Sequence, residues 1–512
     1  MRGSRIIHKN TALLLSALLL VQLPGCRTLR PLPVSEIQYS EKQHYYVHGS
    51  NSYYELSGVT ISDGTLSGIV THPPVTPPRG KIMHIYVAPD SAIIVRDNLA
   101  SIPFSNIAKA EVYDIDAGRT ILIGAGTANA TFWSVLLIAL LTKDMSCPFV
   151  YSEDGASVNF EGEAYSGATA VPIERDDYLR LGSIAPVNDR YNIRITNEVP
   201  EIQNTNLAEL IVFDHPHNTE ILVDKYGVAH SLSDTRQPVS AANAYGKSLL
   251  RELSAPDDQR YFSEIRSDDL LFDTISLSFE KPDNCNRAKL VVSAKNTMWL
   301  DYMFGRLSDM FGNRYDEWVK IRNKRSREYL HQWSLDQGIP LAVYIETSPG
   351  LEFVDFYNVP GPARDRKDIL EIDLSGVTGD RVNLRLVSGV MFWDFDYVGM
   401  DFSDDVSVHG IYVPVENAAD ETGREVSSLL LQDDDRYLVQ PVINNEARLS
   451  FRVPPPVPGT TRTVFLHSKG HYQPLRDAGG KPDMDLLMSM RRSGMFIRFT
   501  KDHFLRYYAE GN

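Results

Sequence analysis

The chain reads as mainly β with a helical insert, and three observations predict that class. Runs such as "YNIRITNE" and "TISLSFE" alternate, putting Tyr191, Ile193 and Ile195 on one face and Ile275, Leu277 and Phe279 on another. Gly, Asn and Asp turns separate these runs, the punctuation of packed sheets. One stretch, Asn296 to Trp333, instead spaces Trp299, Met303, Leu307, Met310, Phe311 and Trp318 near the helical period. At 512 residues the chain exceeds the roughly 250–300 at which a single core stops growing, so several domains are expected. Hydrophobic residues make up 43% and aromatics 10%, which excludes wholesale disorder.

The first element, 1–25, has the layout of a secretory signal. Arg2, Arg5 and Lys9 precede a charge-free run from Thr11 to Leu23. Thirteen residues span about 20 Å as a helix, short of the roughly 30 Å hydrocarbon core, so the run is an address rather than a permanent span. It ends in Leu23-Pro24-Gly25-Cys26, which resembles the lipobox of bacterial lipoproteins at Leu23, Gly25 and Cys26, with Pro24 less usual. The resemblance implies a diacylglyceryl group on the Cys26 thiol, cleavage after Gly25 and an acyl chain such as palmitate on the new amine. Two or three acyl chains hold a protein at a membrane where one binds reversibly. Arg27 rather than Asp follows the Cys, which by the sorting rule of such lipoproteins favours the outer over the inner membrane.

Residues 26–54, polar and tyrosine-rich, are expected to be a tether, and 55–118 a small β module with a turn at Asp63-Gly64. The next element, Ile121 to Thr142, has twenty-two residues without a charge. It is long enough to cross a bilayer, yet Thr127, Asn129, Thr131 and Ser134 soften it. A span, a membrane-associated or re-entrant segment and a buried core helix all remain open.

A β-sandwich is expected over 146–293 and the helical insert over 296–335, capped at Asn296 or Thr297 and split at Gly305 or Gly312. Its aromatics are read as core. Lys320, Arg322, Lys324, Arg325 and Arg327 form a basic island, usually a solvated face and otherwise a contact for lipid phosphates or an acidic partner. A second β domain follows over 339–414, where "DILEIDLSG", "RVNLRLVSG" and "FWDFDYVGMDFS" resemble the closing strands of a galactose-binding-like jelly roll. That likeness implies a fold and carries no sugar site. The last region, 421–512, adds strands and ends in an amphipathic helix. "SCPFVYSEDG", "IRITNEVPEIQNTNLAELIVFDHP" and "FWDFDYVGMDFS" together resemble a group of bacterial envelope proteins whose shared half opens Cys-Pro-Phe-aliphatic-Tyr, over about 146–472. The resemblance implies compartment and architecture, and it transfers no functional residue.

The formal charge is −15, and loss of residues 1–25 with their three cations leaves −18, so nucleic acid is not an expected partner. With Cys26 lipidated, Cys147 and Cys285 remain as a candidate disulfide, subject to Cα atoms within about 7 Å; reduced, buried thiols are the other reading. There is no Gly-x-Ser-x-Gly elbow, His-Glu-x-x-His helix, Walker loop or Cys-x-x-Cys. No catalytic residue, metal or cofactor is therefore nominated. Asp214, His215 and His217 lack further ligands nearby, and Asp394, Asp396 and Asp401, or Asp433 to Asp435, do not match a calcium loop.

Two functions follow. The first is a lipid-anchored envelope protein with a non-enzymatic scaffold or binding role toward a protein or glycan. The second is glycan binding or processing by the jelly-roll-like domain, with Trp393 as stacking platform and Asp394 and Asp396 as hydrogen-bond partners; an exposed Trp393 ring would favour it. Anchoring has its own check. Mass spectrometry should find an acylated peptide beginning at Cys26, and Cys26→Ser should leave an uncleaved precursor; unchanged processing would end the lipoprotein reading.

Overall fold

The computed structural model describes residues 27–34, 37, 39–40, 43–49, 52–62, 64–71, 81–87, 94–96, 98–115, 148–153, 157–182, 186–266, 268–476 and 479–510. The segment 121–142, Cys26 and Cys147 lie outside them, and with them the questions of a second membrane segment and of a Cys147–Cys285 bridge. Among the described residues no helix is long and apolar enough to cross a membrane. The chain divides into two compact units, 1–130 and 131–512.

Unit one is a single mixed sheet. Its strands are β1 (Arg27–Leu32), β2 (Gln43–Gly49), β3 (Ser52–Ser62), β4 (Thr65–Thr71), β5 (Lys81–Val87), β6 (Ile94–Arg96), β7 (Leu99–Pro103) and β8 (Ile107–Ile115), in the order β1-β8-β5-β2-β3-β4-β7-β6. The expected tether is thus a correction: β1 pairs with β8 along its whole length, and β2 runs parallel to β5. The reason lies in period-two burial, because Tyr45 and Val47 reach the core beside Met83, Ile85 and Leu56. β3 and β4 meet at the expected turn, with Ser62 opposite Thr65 and Gly64 at φ +69°, a conformation glycine adopts without steric cost.

Unit two holds two sandwiches, one inserted in the other. In the first, β9 (Phe149–Glu153), β10 (Val158–Glu163), β12 (Arg190–Thr196), β27 (Asn417–Asp420) and β29 (Glu446–Arg452) form one sheet in the order β10-β9-β12-β29-β27. The facing sheet orders β11 (Arg175–Arg180), β30 (Thr461–Pro474), β13 (Glu201–His215) and β26 (Ile411–Pro414), with β28 (Leu438–Gln440) also on β13. Tyr165, Tyr191, Ile193, Leu210, Leu449, Phe451 and Leu466 fill the space between them. After the hairpin β14 (Glu220–Val223) and β15 (Ala229–Leu232), the chain builds the second sandwich. One of its sheets contains β16 (Thr235–Arg236), β18 (Tyr261–Phe262), β20 (Arg287–Asn296), β23 (Arg366–Asp373) and β25 (Trp393–Asp401). The other contains β17 (Ser240–Ala242), β19 (Phe272–Glu280), β21 (Leu341–Thr347), β22 (Gly350–Tyr357) and β24 (Arg381–Gly389). From β16 to β25 consecutive strands alternate between the two sheets except at the β21–β22 hairpin, the connectivity of a jelly roll.

The expected boundaries 146–293, 339–414 and 421–512 are therefore corrected. Strands of 149–215 and 411–474 make the first sandwich, and strands of 235–401 make the second. Local alternation marks where strands are, but the partner of β13 is β30, some 260 residues onward, and no local pattern carries that pairing.

The helices are α1 (Leu250–Leu253), α2 (Met298–Asp309), α3 (Tyr315–Arg322), α4 (Arg327–Asp336), α5 (Met484–Ser489) and α6 (Met495–Glu510). Thr297 caps α2 by accepting from Leu300 N, and the insert breaks at Gly312, whose φ is +50° and whose missing Cβ would stand 2.6 Å from the Gly480 carbonyl. Trp299 of α2 meets Phe504 of α6 edge to face at 5.5 Å, so the C-terminal helix closes the second core.

The two sandwiches are joined by buried charge. Asp177 of β11, 1% exposed, accepts two hydrogen bonds from Arg366 Nη1 of β23 at 2.9 and 3.0 Å and pairs with Arg175 at 3.3 Å. Removing one partner of a buried pair strands the other charge. Asp177→Asn should lower the unfolding free energy by ~3–5 kcal/mol in a urea titration, whereas a loss under ~1 kcal/mol would mean the link is screened by solvent.

Candidate functional site

A cavity of about 510 Å³ lies where the two sandwiches and the helical insert meet, a size typical of small-molecule sites. Helical spacing builds one wall. On α2, Leu300, Phe304, Leu307 and Ser308 recur at intervals of four, three and one and face it together. α3 contributes Trp318, Ile321 and Arg322; α4, capped by Ser326 accepting from Tyr329 N at 3.2 Å, contributes Leu330 and Trp333. Facing them are the turn Ser166–Thr169 of the first sandwich, Phe356 and Val359 of the second, and Leu487 of α5. Phe311 and Trp318 stack at 4.2 Å along the wall. The lining is largely apolar and aromatic.

Of the five arginines in the lining, Arg175 and Arg322 are the two that are not exposed, and they are in different states. Arg175 donates to the carbonyls of Ser166 at 2.8 Å and Val359 at 3.3 Å and has Asp177 as counter-ion. Arg322, 7% exposed, donates to the Thr169 carbonyl and to Thr169 Oγ1 at 3.4 Å and lies 4.5 Å over the Trp318 ring. Its Nε has no hydrogen-bond partner, and the ion pairs among the described residues include none to it. Burial pulls its pKa down to about 10, with the Tyr315 and Tyr472 phenols opposing, so it stays charged at neutral pH. The basic island is thus divided: Lys320, Lys324, Arg325 and Arg327 are exposed, and Arg322 turns inward.

The glycan platform is corrected. Trp393 is 2% exposed, donates from Nε1 to the Ile339 carbonyl at 2.9 Å and stacks near Phe395, so it offers no face to a sugar. It sits on an inward position of β25, where the sheet rather than solvent receives it. Asp394 accepts from Arg260 Nε at 2.6 Å; burial pushes its carboxyl up to about 6 against the pull of Arg260. Asp396 accepts from the Asp258 amide at 2.9 Å, and Asp401 from the Ser233 and Asp234 amides at 3.0 and 2.8 Å. Asp214 pairs with Arg462 at 2.6 Å, while His215 and His217 bond Thr463 and Thr461 at 2.9 and 2.7 Å. Asp433 meets Lys469 and Asp434 meets Arg436. Cys285, the described cysteine of the candidate disulfide, donates to the Arg287 carbonyl at 2.9 Å.

A further charged cluster escaped sequence reasoning, since its members lie far apart in the chain. His230, Glu371 and Asp405 bring candidate ligand atoms within 4.8 Å of one another. Both His230 nitrogens, however, meet carboxylates, Asp224 and Asp405, at 3.3 Å, and Lys289 Nζ reaches Asp405 at 3.1 Å and Asp401 at 3.3 Å. Lys289 already places a positive charge among the carboxylates, and the group reads as a neutralised network fastening the β14–β15 hairpin to the second sandwich.

No protein-family model and no curated protein matches the chain. Among solved structures, one described as "The Triple Jelly Roll Fold and Turret Assembly in an Archaeal Virus" is similar at 7% identity, covering 59% of this chain and 90% of that one with a TM-score of 0.14, a likeness that carries no argument.

The paired histidines predict a pH dependence. Burial opposes charge on His230 and on His467, but hydrogen bonds that their rings donate to Asp224 and Asp405, and to Asp176 and Glu209, outweigh it and push both pKa values up to about 9. Since the unfolded value is about 6.5, their stabilisation is complete below about pH 6.5 and is lost as pH rises through about 9. Thermal melting should show His467→Gln destabilising at about pH 6 and nearly neutral at about pH 10; an equal effect at both would contradict the assignment.

Proposed function

We propose that the chain is a lipid-anchored bacterial envelope protein, held at the outer membrane through Cys26, with a non-enzymatic binding role in which the cleft between the sandwiches takes a ligand with an apolar body. The observation that carries the binding role is the cleft itself, about 510 Å³ of largely aromatic and aliphatic wall. Apolar surface of this kind releases water when an apolar ligand covers it, a gain of roughly 25 cal/mol per Å² buried.

Two further points support the reading. The carboxylates and histidines singled out by sequence are held by arginines, lysines, hydroxyls and backbone amides, as structural groups are. β1 begins at Arg27, the residue after Cys26, and is the edge strand of its sheet, so an acylated Cys26 would hold that edge directly against the headgroups.

The test uses a neutral apolar fluorophore, N-phenylnaphthylamine, whose emission rises on leaving water. The full chain should bind it saturably, and Leu330→Trp, which fills the cleft, should weaken binding by roughly tenfold with unfolding unchanged. No saturable binding by the unaltered protein would overturn the proposed role.

A further inference from the structure

We infer that the ligand of this cleft is an amphiphile with one anionic head on a long apolar chain, as in a fatty acid, and that Arg322 receives the head. The inference rests on the binding role proposed above and adds the chemical class of the ligand. It starts from an imbalance of charge. Moving a guanidinium out of water is costly unless a counter-ion or a full set of acceptors replaces the lost hydration. Arg322 is 7% exposed and has neither: Thr169 supplies one carbonyl and one distant hydroxyl, Trp318 supplies a ring face, and Nε is left bare.

Among the described residues of this unit, several other buried or half-buried cations are matched. Arg366 has Asp177 and Asp368, Lys289 has Asp401 and Asp405, and Arg175, on the same cleft, has Asp177. Arg322 differs from them and stands in the cavity wall, where a planar fork of donors suits a carboxylate.

The surroundings agree with a monoanion followed by a chain. Beyond the guanidinium the wall is Phe304, Leu307, Leu330, Trp333 and Leu487, which offers an alkyl tail contact but few polar partners. At the border, Arg314, Arg325 and Arg491 are exposed and draw anions toward the cleft. Of the two acids there, Glu317 is exposed and 4.0 Å from Arg314, and Asp301 is on α2.

The probes are dibrominated stearate and the corresponding dibrominated alcohol, which differ only in the head. Bromine quenches nearby tryptophan, and Trp318 and Trp333 line the cleft while Trp299 and Trp393 are buried in the second core. With the full chain, stearate should quench saturably and bind at least about tenfold tighter than the alcohol, and Trp318→Phe should remove much of the signal. Arg322→Met should abolish the preference for the acid while leaving alcohol binding within about twofold, and Arg322→Lys should keep part of the preference.

Equal binding of acid and alcohol by the unaltered protein would overturn the anionic head and leave the apolar cleft standing. Saturable binding of neither would overturn both. Should Arg322→Met fail to fold, the acid-to-alcohol ratio of the unaltered protein decides the matter without it.

Discussion

Asp177 is buried between Arg175 and Arg366, and the relation of the two sandwiches depends on that carboxylate. It belongs to the first sandwich, as Arg175 does, and Arg366 belongs to the second, so one carboxylate holds guanidiniums of both domains. Arg175 extends the same network to the carbonyls of Ser166 and Val359, one on each side of the cleft. Further pairs surround it, the part-buried Lys225 with Asp355 at 2.5 Å and the more exposed Lys367 with Glu220 at 2.6 Å, and the Ala363 amide donates to Glu163. An exposed pair such as Lys367 with Glu220 contributes little. The buried pair is what resists separation, because parting the sandwiches would break both Arg366 hydrogen bonds to Asp177 and leave Asp177 only Arg175 and Arg366 only Asp368 as counter-ion.

A fixed pair of walls makes the helical insert a cover rather than a third domain. α2 is tied through Thr297 and Trp299 to the second core, and α3 through Tyr315, whose hydroxyl donates to the Pro474 carbonyl at 2.8 Å, to the end of the first sandwich. Arg322 adds a bond to Thr169 on the same side. Covering the junction creates the cavity, and Arg322, drawn in without a carboxylate among the described residues, gives that cavity a polarity. Fold, cover and charge thus point toward one kind of occupant.

Much of the fold was legible in the sequence. Alternation at Tyr191–Ile195 and Ile275–Phe279 marked true strands, and the Trp299–Met303–Leu307 spacing marked α2. Pairing was not legible, because β13 meets β30 and β26 across the whole inserted sandwich and hydrophobic pattern names a face without naming a partner. The tyrosine-rich stretch before Tyr54 looked like a tether because its polar residues mask a short Tyr45–Val47 alternation. Trp393 looked like a platform because a sequence shows an aromatic beside carboxylates but not which sheet face it occupies. Arg322 shares a basic island with its neighbours, though one signal sets it apart: Phe311, Tyr315, Trp318 and Arg322 follow the helical stripe, so Arg322 shares the aromatic face while Lys320 and Lys324 do not.

The most direct measurement is anomalous diffraction from crystals of the protein grown with dibrominated stearate. Bromine peaks should lie inside the cleft against Trp318 or Trp333, with the carboxylate within hydrogen-bond distance of the Arg322 guanidinium. Bromine found only outside the cleft, with Arg322 still bonded to Thr169 alone, would contradict the assignment of the site.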